Sequence, residues 1–122
     1  MLIKIRVPKD GPLAGFLEMD ILERADYLRP CIETDEDRDF DKAARVIREG
    51  WNQDRGTLHF DSQHARIVLD AIVGGINCLD DEVEHDVQRD RELIAINKSL
   101  IAAGNRMQAS ILKQLRGGES ND

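Results

Sequence analysis

The sequence predicts an α+β fold dominated by helix: a small N-terminal antiparallel sheet packed on helices, and a long C-terminal helix used for assembly. Three observations carry this. Leu2 to Val7 alternates apolar and basic residues as a half-buried strand does. Beyond residue 38, apolar residues recur at spacings of three and four through long proline-free stretches. Aromatic residues make up only 4% of the chain, so Ala, Ile, Leu and Val must supply most of the core, as suits a helix-rich protein.

The 122 residues suit a single domain. It is expected to span 1–116, with the sheet and a helix in 1–61, the central and C-terminal helices in 62–116, and a disordered polar tail at 117–122.

In chain order, Ile3, Ile5 and Val7 share one face of the first strand, with Lys4 and Arg6 on the other. Pro8-Lys9-Asp10-Gly11-Pro12 is turn chemistry. Residues 16–22 fit two patterns. Leu17, Ile21, Ala25 and Leu28 are spaced as on a helix, while Leu17, Met19 and Ile21 alternate with Glu18 and Asp20 as in a strand. The acidic polar face complements the basic face of the first strand, and cross-strand charge pairing of this kind is mildly stabilising. That favours a hairpin, then a short helical turn over Glu23 to Leu28 ended by Arg29-Pro30.

Glu33 to Asp41 holds six acids and one basic residue, Arg38, and reads as an exposed loop entering a helix capped by Asp37 or Asp39. Phe40, Ala44, Ile47 and Trp51 form an amphipathic stripe, which predicts a helix over 38–49 with Gly50 as its stop. Gly56 to Asp61 predicts a strand with Leu58 and Phe60 inward, followed by Ser62 as a helix cap. His64 to Leu79 is apolar on nearly every side, which predicts a buried central helix. Gly74-Gly75 inside it weakens the helix by roughly 1 kcal/mol per glycine, so the pair should mark a kink or a close approach by another backbone.

From Asp80 to Arg116 there is no proline and one glycine, Gly104. Seven acids crowd the start: Asp80, Asp81, Glu82, Glu84, Asp86, Asp90 and Glu92. One apolar seam runs through Val83, Val87, Ile94, Ile101 and Leu115, and a second through Leu93, Ile96, Leu100, Ala103, Met107 and Ile111. Between them lies a line at seven-residue spacing: Asp90, Asn97, Gly104, Ile111. Two seams can serve two neighbours, one of them the central helix. The spacing therefore predicts a homo-oligomer, with Leu93, Ile94, Ile96, Asn97, Leu100, Ile101, Gly104, Met107 and Ile111 at its interface. A buried Asn is a known register device in such packing.

The formal net charge of -7 argues against direct binding to nucleic acid. No apolar run approaches the length of a membrane span. Cys31 and Cys78, far apart and outside any CxxC spacing, are expected to be buried thiols in a reducing cytoplasm.

No motif identifies a reaction. Asp81, Glu82, His85 and Asp86 could present metal ligands from one helix face, and Glu82-x-x-His85 has the spacing used in carboxylate di-metal bundles. The second such motif is missing, and His85-Asp86 stands without the further ligands that HD-type phosphohydrolases need. Ser62, Ser99, Ser110 and Ser120 have no surrounding nucleophile motif, and no phosphate loop follows Gly74-Gly75.

The leading expectation is a non-enzymatic, cytoplasmic, oligomeric adaptor or inhibitor without a cofactor. Its acidic surface, Asp80, Asp81, Glu82, Glu84 and Asp86, would meet a basic protein partner. One form is a small acidic inhibitor imitating nucleic-acid charge, as some phage counter-defence proteins do. The alternatives are a small-ligand binder with a pocket between subunits, lined by Arg45, Arg48, Asp90 and Asn97, and a metal-dependent phosphohydrolase using the acidic helix start.

Overall fold

A computed structural model describes residues 1–85 and 91–120, and it is α+β with helix dominant. β1 (Leu2–Arg6), β2 (Trp51–Asn52) and β3 (Thr57–Asp61) form one antiparallel sheet in the order β1-β3-β2. Ile3 lies opposite Phe60 and Ile5 opposite Leu58. All four are buried, as the alternating pattern requires. Val7 extends the ladder by donating to the Gly56 carbonyl at 2.7 Å. Gly56 has φ 66°, a left-handed conformation that a side chain would strain.

Residues 16–22 are not a strand, and the partner of β1 is β3. The chain runs through α1 (Pro12–Gly15), a π-helical segment (Phe16–Glu23) and α2 (Arg24–Leu28) with helical backbone at each junction. The buried residues of the π segment are Phe16, Leu17, Ile21 and Leu22, two pairs five residues apart. That spacing matches i→i+5 hydrogen bonding. Met19, which a strand would turn inward beside Leu17 and Ile21, is 56% exposed. The charge complementarity that favoured a hairpin is worth only about 0.2–1 kcal/mol per pair, less than the burial of one large apolar side chain.

α3 (Asp35–Gly50) begins earlier than the apolar stripe implies. Its cap is Thr34 rather than Asp37 or Asp39: Thr34 Oγ1 accepts from the Asp37 N–H at 3.1 Å, and the Asp37 carboxylate accepts from the Thr34 N–H at 3.2 Å. This reciprocal box satisfies two donors that a helix start leaves over. α3 includes Gly50, where β3 lies directly against it: a Cβ built there would overlap the His59 carbonyl oxygen. After β3, Asp61 rather than Ser62 supplies the cap, accepting from the Gln63 N–H at 2.9 Å before a 3₁₀ turn (Ser62–His64).

α4 (Ala65–His85) continues past Asp80, so the acids from Asp80 to Glu84 end the central helix rather than start the C-terminal one. α5 (Arg91–Ser120) is a separate helix, about 45 Å long at 1.5 Å per residue. It includes Gly117–Ser120, which were expected in a disordered tail. The two helices are antiparallel neighbours, with Gly104 against Ile76 and Asn97 bonded to Glu82. Asp86, Val87 and Asp90 lie outside the described residues.

The Phe16 ring sits between these helices. Cβ atoms built at Gly75 and Gly104 would stand 3.0 and 3.1 Å from its Cζ. The Gly74-Gly75 pair thus makes room for an aromatic ring rather than for another backbone. Both cysteines are free and exposed rather than buried as expected, Cys78 lying beside Asn77 on the outer side of α4.

Gly50, Gly74 and Gly104 should respond differently to alanine. Gly74→Ala meets only Arg24 Nη1 at 3.7 Å, an ordinary contact, and should gain up to about 1 kcal/mol of helix propensity. Gly104→Ala meets Ile76 and Phe16 at 3.0–3.2 Å and should lose about 1–3 kcal/mol. Gly50→Ala should lose at least ~2 kcal/mol, because backbone must move. Urea unfolding midpoints check this order.

Candidate functional site

The exposed face of α4 runs through Arg66, Asp70, Val73, Asn77, Asp80, Asp81 and Glu84 at spacings of three and four. It turns acidic from Asp70 onward. Glu82, also exposed, accepts a hydrogen bond from Asn97 Nδ2 at 3.2 Å, which ties the acidic end of α4 to α5. Asp20 of the π segment belongs to the same neighbourhood. Burial, then the charge of Glu82, push its carboxyl up to about 6, with Arg24 opposing and Glu23 adding to the rise. One Asp20 oxygen, Oδ2, is buried without a hydrogen-bond partner among the described residues.

A cleft of about 520 Å³ opens between α2, the start of α3 and the first half of α4. Phe40, Ile67 and Ala71 give it an apolar lining. Four acids border it, Glu36, Asp37, Asp39 and Asp70, against two arginines, Arg24 and Arg66. The Arg24 guanidinium lies 4.9 Å from the centroid of the Phe40 ring, within cation–π range. Arg66 stands between Asp39 at 3.8 Å and Asp70 at 3.9 Å. The Asp37 carboxyl is held below its ordinary range, first by the Glu33 backbone N–H and then by that of Thr34. It therefore stays charged at the cleft mouth well into mild acid. An acidic rim over apolar walls attracts cations and gives their aliphatic stems a surface to lie on.

Sequence reasoning missed this cleft. The pattern reads as a loop entering a helix at about residue 38, and it places the acidic surface only near residue 80. The six-acid run was the available signal, but its convergence with Asp70 depends on how α3 packs on α4.

Arg45 and Arg48, candidates for an anion site, are engaged within the chain. Arg45 Nε donates to Asp41 at 3.1 Å, Arg29 reaches the other Asp41 oxygen at 3.2 Å, and Arg48 pairs with Asp26 at 3.1 Å. The buried Asp41 carboxyl is held low, chiefly by the Arg45 hydrogen bond, against its own desolvation. These arginines clamp α2 to α3. Asn97 lies instead beside Glu82, so the described residues do not gather Arg45, Arg48 and Asn97 into one pocket.

The residues assigned to an oligomer interface divide. Asn97, Leu100, Gly104, Met107 and Ile111 are buried within this single chain, and Ile101 packs partly against its core. From Leu100 onward the second seam is buried, and β1, α1 and the π segment all pack on α5. Leu93 and Ile96 remain 47% and 55% exposed, and Ile94 is half-buried.

Among the described residues no group of three His, Cys, Asp or Glu is placed to hold a metal ion. Of that proposed set, Asp86 lies outside the described residues, as does the side chain of His85. No described helix is long and apolar enough to cross a membrane. The sequence matches no family model, and neither a curated protein nor a solved structure matches it.

The Asp20 group predicts a pH effect of definite sign. An acid whose pKa rises on folding, here from 3.8 to about 6, stabilises the fold relative to its charged state only while protonated. Its contribution is full below about pH 4, declines between about 4 and 6, and is absent above. Asp41, with its pKa lowered, contributes in the opposite sense and is lost in acid. Asp20→Asn should therefore raise stability at pH 7 by roughly 1 kcal/mol, discounted for partial solvation, and by little at pH 4. Melting curves at both pH values check this. An equal gain at each would show that the charge is not the cause.

Proposed function

We propose that this protein is a non-enzymatic, oligomeric interaction protein, an adaptor or inhibitor, that presents an acidic surface to a basic protein partner. The observation that carries the reading is the concentration of exposed carboxylates on one side. Asp70, Asp80, Asp81 and Glu84 follow the outer face of α4, and Glu36, Asp37 and Asp39 border the adjoining cleft. Lysine or arginine side chains of a partner would place their charges among these acids and their stems against Phe40 and Ile67. A surface shaped to imitate nucleic-acid charge is one version of this role. Self-association would run through Leu93 and Ile96, the seam residues left uncovered, with Ile94 beside them. A cytoplasmic setting is part of the same proposal.

Two experiments test it. Partners captured from cell extract should be basic proteins released as salt rises from roughly 0.05 M to roughly 0.5 M, where the screening length falls severalfold. The triple variant Asp80→Lys, Asp81→Lys, Glu84→Lys should lose them. Binding that survives both salt and charge reversal would refute the acidic-surface reading. Sedimentation equilibrium should show an assembly that Ile96→Asp dissociates, since a charge on an exposed apolar site leaves the monomer intact; a wild-type monomer would remove the oligomeric part.

A further inference from the structure

The free edge of β1 carries a feature of opposite charge to the acidic face. In the β1–β3 ladder the odd-numbered residues of β1 point their backbone groups at β3, as the terminal bonds Val7 to Gly56 and Ser62 to Met1 fix. Lys4 and Arg6 therefore direct theirs away from the sheet, toward α5. At Lys4 the edge is already paired by a side chain. The Lys4 N–H donates to Gln114 Oε1 at 2.9 Å, and Gln114 Nε2 donates to the Lys4 carbonyl at 2.7 Å. One amide group thus does what a residue of a neighbouring strand would do.

One residue pair further on, that pairing stops. No hydrogen bond among the described residues engages the outward backbone groups of Arg6, which border a groove of about 340 Å³ between β1, the 8–12 turn and α5. Ile5, Leu13, Ala103 and Met107 give the groove apolar walls, and Arg6 and Arg106 are among the residues that line it. Neither guanidinium has an ion-pair partner among the described residues, in a chain whose formal net charge is -7.

We infer that this groove captures the C-terminal end of an extended peptide: its last residues pair with the Arg6 backbone, an aliphatic final side chain enters the groove, and the terminal carboxylate meets Arg6 and Arg106. The three parts of the ligand follow from three parts of the site. An edge offering both a donor and an acceptor suits a peptide, which can answer both, better than a simple acid, which answers only donors. The apolar walls call for an aliphatic side chain. The two arginines attract a carboxylate and repel an N-terminal ammonium. Gln114 on one side and the Pro8–Pro12 turn on the other close the edge, so a chain end fits where a through-running strand does not.

The test uses the full-length protein, labelled with ¹⁵N, and tetrapeptides Gly-Ser-Thr-X in which X is Val, Leu, Ile or Phe, each as free acid and as C-terminal amide. The free acids should shift the amide resonances of Arg6 and of residues 103–110. Amidation should weaken binding by ~10-fold or more, as should Arg106→Ala; Arg106 is exposed and unpaired among the described residues, so that variant should keep the wild-type melting temperature. The inference is overturned if no free acid shifts these resonances, if acids and amides bind alike, or if hexanoate binds as tightly as the best tetrapeptide. Loss of the acidic-surface reading would leave this result untouched, since the two sites share no residue.

Discussion

The close approach of one aromatic ring to two glycines is the constraint on which the packing rests. Phe16 enters between Gly75 of α4 and Gly104 of α5, and a methyl group at either position would crowd it. With few aromatics in the chain, this fully buried ring fills the junction of three helical segments. Its position sets how near α4 and α5 come to each other, and so brings Asn97 onto Glu82. The helical weakness of a Gly-Gly pair, roughly 1 kcal/mol per residue, is offset by the burial of a large ring.

The π-helical segment follows from the same constraint. Phe16, Asp20 and Arg24 lie along one side of the 12–28 helix and face the glycine pair: Gly75 is near Phe16 and Asp20, and Gly74 is near Arg24. A widened turn lets the apolar pairs at 16–17 and 21–22 both reach the core. It also leaves a carboxylate and a guanidinium partly buried with unsatisfied atoms. Arg24 lines the acidic cleft and Asp20 answers to the charge at the acidic end of α4, so packing at the glycine pair is physically continuous with the proposed interaction surface.

Charge is distributed by face. Acids collect on α4 and at the start of α3. Arg29, Arg45 and Arg48 are consumed by Asp26 and Asp41. Across the molecule, Arg6 and Arg106 are left to the groove beside β1. A net negative charge therefore does not describe the whole surface: one face suits cations and the other a carboxylate.

The sequence alone determined the elements whose signals are local. β1 and β3 were legible because alternation is a nearest-neighbour property. α3 and α4 were legible because amphipathic spacing is carried by the helix itself, and the acidic cluster because charge is written residue by residue, although its place at the end of α4 rather than at the start of the C-terminal helix was not. Tertiary structure decided the rest. Residues 16–22 satisfied both periods, and only contact with Gly75 and Gly104 selected helix. The two seams of the C-terminal segment required two covers, and the periodicity could not say that β1, α1 and the π segment supply the second; the assembly argument consequently narrows to Leu93 and Ile96. The cleft and the β1 groove were not legible at all, because each joins residues tens of positions apart whose meeting is decided by packing.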